Sequence, residues 1–400
     1  MRFKVSRVAL WCLVSVVFLA GCGGGSSNPS AGNPSPTPGA PNPTPSPSPS
    51  PTPPLTPSRF VYAIIDFEAD GGYFGGSINS ATGQITQTPG NPIDNALGQN
   101  IVLQVLPDPQ GRFVYSLNLG ASSFGIQFGQ IGIGAYQINQ TTGTLTAIPN
   151  GSVIFPSVRD SLMAIDASGH FLYQPDGGGI DTYSINQSTG QLTPLTVTSV
   201  AAVGGSSAAS PDGHFLINGG SGLVEVFSIN STTGQLTVAA PPTPTGGSCA
   251  AGFPCDIVVS PDSRFVYFAN STEGTVAVFS MATNGTLTPV VGSPIAVDPN
   301  AAGMSLSPDG RFLYIAFDSP DTGHVKGWAV NPAAGTFTPI AGANIANANT
   351  INVDGSGKFA YISQQKLVTY KVDPTTGALT QTSQAAQPWS DLPDDIALAP

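Results

Sequence analysis

The chain has 400 residues, of which Gly (48) and Pro (38) make up about a fifth, charged residues 9% and hydrophobic residues 40%. So few charges exclude a coiled coil or a helix-rich enzyme, whose helices need Glu, Lys and Arg on their faces, and the apolar fraction excludes a broadly disordered chain. The formal charge of −11 repels phosphate, so no nucleic-acid partner is expected.

The N-terminus reads as an export signal. Arg2, Lys4 and Arg7 form a positive start, and Val8 to Leu19 is an almost unbroken apolar run. That run is too short to span a bilayer, which takes about 20 residues. It ends in Leu19-Ala20-Gly21-Cys22, which resembles the lipobox of bacterial lipoproteins. The resemblance implies cleavage after residue 21 and acylation of Cys22, and so a lipid anchor in a bacterial cell envelope, at the outer membrane or cell surface of a Gram-negative host. The other reading is an ordinary secretory signal with an incidental Cys. Losing residues 1–21 leaves 9 Lys+Arg against 23 Asp+Glu, or −14.

Residues 22–57 follow as a linker. From 23 to 57 there are 13 prolines among Gly, Ser, Thr and Asn, which favours extended polyproline II and offers nothing to build a core. A stalk that lifts a domain off a membrane is expected.

Residues 58–400 repeat. A small or polar residue, then Arg, His or Lys, then Phe, an aliphatic residue and usually Tyr recurs seven times, with Phe at 60, 113, 171, 215, 265, 312 and 359. A period near 50 residues marks a propeller or solenoid. A second signature follows each copy: Asn or Asp, small residues, Gly, any residue, an apolar residue, Thr, as in Asn230 to Thr237. It is a hairpin turn, in which Asn caps its own loop and Gly supplies positive φ. A third precedes the Phe, as in Ser307-Pro308-Asp309-Gly310, and reads as a strand entering a tight turn. Four strands per repeat, seven times, predict an all-β, seven-bladed propeller. Its last segment, Asp395 to Ala399, matches the inner strand of blade five, Asp256 to Ser260. It is expected to pair with Val61 to Ile65 and complete blade one.

The run Ser-Pro-Asp-Gly-Arg-Phe-Leu-Tyr, with the later Asn-x-x-Thr-Gly-x-Leu-Thr, resembles the lactonase-type β-propellers, among them the 6-phosphogluconolactonase-like and YVTN-like proteins. The likeness covers residues 58–400. It speaks for fold more than activity, because these motifs are turns and core strands.

Chemistry is sparsely signalled. No metalloprotease, nucleophile-elbow, P-loop or CxxC motif occurs. Cys249 and Cys255 suit a disulfide in an exported chain; the spacing and the lack of a nearby His do not suit zinc. His170 and His214 occupy the Arg slot of the repeat and are read as turn contacts, whereas His324 lies outside it. Asp256 and Asp395 enter inner strands, with Asn100, Ser206, Gly303 and Asn349 at the corresponding places of other blades. A lactone hydrolase needs a base and an oxyanion donor. Asp160, Asp256 or Asp395 could be the first and Arg159 the second; otherwise the acids form a solvated or Ca²⁺-binding ring, and no other cofactor is called for. Recognition belongs on the irregular loop face, where Asp66, Asp70, Tyr73, Phe253, Asp318 and Trp389 fall. The leading expectation is a monomeric, lipid-anchored binding or scaffold module for a carbohydrate or an envelope protein. The alternative is a sugar lactonase.

Overall fold

The computed structural model describes residues 59–400 apart from 65–71, 92, 99–101, 120, 124–125, 129, 157–160, 177, 196–201, 250–254, 318–322, 365 and 383–394. Cys22, the expected signal (1–21), the linker (22–57), Asp66, Asp70, Arg159, Asp160, Phe253, Asp318 and Trp389 lie outside the described residues.

Seven antiparallel sheets of four strands follow one another along the chain, and each is a blade. In blades two to seven the strands run in chain order from the inner edge outward. Blade one takes its inner strand, Ile396–Ala399, from the C-terminus, beside Phe60–Ile64. The register pairs Phe60 with Ala399 and Ala63 with Ile396. The Ile64 amide donates to the Asp395 carbonyl at 3.0 Å. Closure is therefore as expected, one residue earlier than Val61 to Ile65. In blades one, two and five the outer strand is split into two short segments on the same partner strand. Blade two also carries a small hairpin, Ala121–Ser123 with Ile126–Phe128.

The core is seven apolar clusters, one in each seam between neighbouring blades. This follows from strand alternation. In the repeat, Phe and Tyr point into the seam with the next blade, and the aliphatic residue between them points back. Phe60 and Tyr62 thus join one cluster and Val61 another.

The two repeat signatures are the two halves of one inter-blade lock. The turn glycine of each blade sits on the repeat Phe of the blade before it. A Cβ on Gly143, Gly190, Gly234, Gly335 or Gly377 would meet that ring at 2.4 to 2.5 Å, and Gly83 of blade one meets Phe359 of blade seven in the same way. Gly is therefore required twice, for a φ of about +70° and for the ring's approach. In five blades the repeat Tyr donates to the same glycine's carbonyl: Tyr115 to Gly190 at 2.9 Å and Tyr314 to Gly377 at 2.7 Å, for example. The repeat Arg lies over its own Phe and reaches the next blade's turn, as Arg112 does with Gln187 and Arg264 with Pro332. The Asn of each turn accepts its own downstream amides, as Asn139 does from Thr141 and Thr142.

Candidate functional site

Inner strands line the propeller axis. The position held by Asp256 in blade five has counterparts counted back from each repeat Phe. They are Asp395 in blade one, then Gln104, Leu162 and Ser206, then Gly303 and Thr350 in blades six and seven. Gln104 and Thr350 thus stand where Asn100 and Asn349 were expected.

These positions form a girdle at the loop-face end of the channel. Four of them reach forward to the next inner strand. Asp395 Oδ2 accepts the Val105 amide at 3.2 Å, Gln104 Oε1 the Met163 amide at 2.8 Å, the Leu162 carbonyl the Ser207 amide at 3.1 Å, and Asp256 Oδ2 the Met304 amide at 2.5 Å. The other oxygens of Asp256 and Asp395 accept the amides of Ile257 and Ile396. Gln104 closes its contact in both directions by donating to the Met163 carbonyl.

The two acids are half-buried, and Asp256 titrates unlike an ordinary surface carboxylate. Desolvation by burial pushes the Asp256 carboxyl up to about 7, against the lowering effect of the Met304 and Ile257 amides and with a further upward push from Asp395. The pair therefore shares one electrostatic site. A carboxyl poised near neutrality can take and return a proton at physiological pH. Among the described residues the girdle holds no Lys, Arg or His.

His324 belongs to a separate cluster at the junction of blades five and six. Its Nε2 lies 2.7 Å from Asp298 Oδ2, which also accepts from Lys326 Nζ at 2.5 Å. Its ring stacks on Phe317 with centroids 4.8 Å apart. Burial works to raise the Asp298 carboxyl, but the bonds from Lys326 and His324 win and hold it below its usual range. The acid paired with His324 and Lys326 is Asp298, in the link that enters blade six. A partner 26 residues away in another blade left no signal in the sequence.

Other expectations resolve as structure. His170 bonds its turn neighbour Ser168, and His214 packs beside Phe215. Tyr73 is not available for recognition: it is fully buried, edge-on to Tyr136 at 5.3 Å. Cys249 and Cys255 form a disulfide, with Cα atoms 5.3 Å apart. Among the described residues no group of three or more His, Cys, Asp or Glu converges as a metal site.

Comparison with known proteins places this geometry. The chain is similar in structure to a Bacteroides uniformis protein provisionally assigned as a 6-phosphogluconolactonase, with a TM-score of 0.68 and 18% identity over 86% of this chain and 100% of that one. It is similar to the periplasmic gluconolactonase of Pseudomonas aeruginosa, with a TM-score of 0.65 and 19% identity over 85% and 99%. A Bacteroides fragilis protein, also provisionally assigned as a 6-phosphogluconolactonase, gives 0.65 and 20% over 86% and 98%. At these identities the likeness establishes the fold. No curated protein matches the sequence. The family model for the lactonase seven-bladed β-propeller matches residues 165–299 and 293–390, more than half of the 400 residues. The chain belongs to the lactonase seven-bladed β-propeller family.

Proposed function

We propose that this chain hydrolyses a lactone at the loop-face end of its channel, with Asp256 as the base. The reading departs from the binding-module expectation because of one observation. A carboxyl is raised to about 7, with a second acid adding to the upward push, inside a family named for lactonases. Perturbed acids in a concave site are the usual mark of acid–base work. The Asp256 carboxylate takes a proton from water, and the water oxygen attacks the lactone carbonyl carbon. The tetrahedral intermediate collapses with cleavage of the ring C–O bond. Asp256 returns the proton to the departing ring oxygen, giving the open hydroxy acid. Arg159 is the candidate for the oxyanion.

Two acids and no cation in the described girdle favour an uncharged sugar lactone over a phosphorylated one, whose dianion the site would repel. The order of positive start, apolar run and L-A-G-C supports an enzyme tethered by acylated Cys22 to an envelope membrane, on a Pro-rich stalk. The test is hydrolysis of D-glucono-1,5-lactone by the purified chain, measured above the spontaneous rate. Asp256→Asn should abolish the excess and Asp395→Asn should reduce it. No excess in the parent chain, or an undiminished one in Asp256→Asn, overturns the reading.

A further inference from the structure

The seven seams are not fastened alike. Three devices recur around the ring: the repeat Tyr bonded to the next turn's glycine, the repeat Arg bonded to that turn, and the girdle bond between inner strands. Seam one–two has all three, from Tyr62, Arg59 and Asp395. Seam two–three also has all three, from Tyr115, Arg112 and Gln104.

Among the described residues, seam four–five has none of the three. Ile217 stands where the other six blades carry Tyr or its equivalent ring, and His214 stands in place of Arg. Ser206 holds the girdle position, but its buried hydroxyl meets no partner. On the blade-five side, Asn270 also has a buried amide oxygen without a partner. The contact is mostly apolar: Phe268 of blade five enters the space left by Gly219, whose Cβ would meet that ring at 2.4 Å. One bond at the turn face, from the Asp212 amide to Ser263 Oγ at 3.0 Å, crosses this seam.

The disulfide lies in this seam. Cys255 is fully buried with Ile217 and Val224 of blade four and Ile257 and Phe268 of blade five, and Cys249 packs on the same cluster. Beside Cys249, Ser248 is tied twice to Glu273 of blade five, and Asn270 donates to the Thr245 carbonyl at 3.2 Å. Cys255 immediately precedes Asp256, whose carbonyl accepts the Ala269 amide and whose carboxylate holds the Met304 amide. The covalent bond is thus placed where the repeated fastenings fail, and against the residue that links blade five to blade six.

We propose that the Cys249–Cys255 bond is the covalent fastening of the loop-face end of this one seam, so that its reduction by a dithiol frees the loop-face end of blade five's inner strand while the other six seams stay closed. Cys249 is the half-buried partner and Cys255 the buried one. A reagent thiolate attacks Cys249 Sγ and expels the Cys255 thiolate. The reagent's second thiol then attacks the mixed disulfide, releasing Cys249. Two electrons pass to the cystine and the dithiol leaves as its own disulfide. The proposal stands independently of the lactonase reading.

Amide exchange in the purified chain, compared before and after reduction with dithiothreitol, tests it. The amides of Met304 and Ala269, held by Asp256, should exchange at least tenfold faster after reduction. Those of Val105 and Met163, held by the girdle in blades two and three, should be unchanged. A Cys249→Ser, Cys255→Ser double variant should show the faster exchange without reductant and no further response to it. Unchanged exchange at Met304 and Ala269, equal acceleration around the ring, or unfolding of the whole chain on reduction would each overturn the proposal.

Discussion

Tyr→Phe at two equivalent repeat positions should have opposite effects on stability. Tyr115 and Tyr267 are both fully buried and occupy the same place in blades two and five. The Tyr115 hydroxyl donates to the Gly190 carbonyl at 2.9 Å. The Tyr267 hydroxyl has no acceptor among the described residues. Removing the first leaves a carbonyl in an apolar seam without its donor, which costs about 1–3 kcal/mol. Removing the second relieves a buried, unsatisfied hydroxyl, so the change is neutral or stabilising by up to about 1–2 kcal/mol. The expected gap between Tyr115→Phe and Tyr267→Phe is therefore about 1–5 kcal/mol. With a urea m-value of about 3 kcal/mol/M for a domain of this size, that separates the midpoints by roughly 0.3 M or more. Urea unfolding followed by fluorescence, with m unchanged, reads it directly. If Tyr267→Phe lowers the midpoint as much as Tyr115→Phe, the lock has been misassigned.

Three further outcomes follow. Deleting 395–400 removes the inner strand of blade one, including buried Ile396, Ala397 and Ala399 and the bonds at Arg59, Ile64 and Val105; at about 2 kcal/mol for Ile396 and roughly 1 kcal/mol per lost bond, about 5 kcal/mol is lost and an open edge is exposed, so a truncated chain that melts like the parent contradicts closure by this strand. Cys22→Ser should release the protein from the membrane fraction with its melting temperature unchanged, and retention through a high-salt wash would rule out lipidation there. Asp256 is raised from 3.8 to about 7 on folding, so its protonated form stabilises the fold fully below about pH 4, and that benefit is lost as pH climbs through 7. The span is worth about 4 kcal/mol at most, less with channel water nearby. Asp256→Asn cannot ionise, so the difference in melting temperature between parent and variant should change between pH 5 and pH 8, and a constant difference would show an ordinary carboxyl.

The repeat made the fold legible, because each blade restates the same turns and strands. Even the closing strand could be read, since Asp395 to Ala399 copies Asp256 to Ser260. What the repeat could not say is how blades meet. The Phe motif and the glycine turn looked like independent hairpin features, yet Phe113 and Gly190 touch across 77 residues of chain. The channel acids were visible because they fall at one repeat position, whereas Gln104 and Thr350 share that position without sharing its residue type. The Asp298–His324 pair joins a blade link to a third strand, and nothing in either segment announces the other. Tyr73 was misread because loop-face proximity says little about burial: its ring turns inward onto Tyr136.

The central claim is that Asp256 is a base poised near neutrality in a lactone-hydrolysing channel. The pH dependence of kcat/KM for D-glucono-1,5-lactone, corrected for spontaneous opening, tests it most directly. The parent chain should show activity that rises through about pH 7 and then levels, following the deprotonated carboxyl. Asp256→Asn should lose both the activity and that limb, and the 6-phosphorylated lactone should be the poorer substrate. A parent profile that is flat through neutrality, or one retained in Asp256→Asn, would contradict the account.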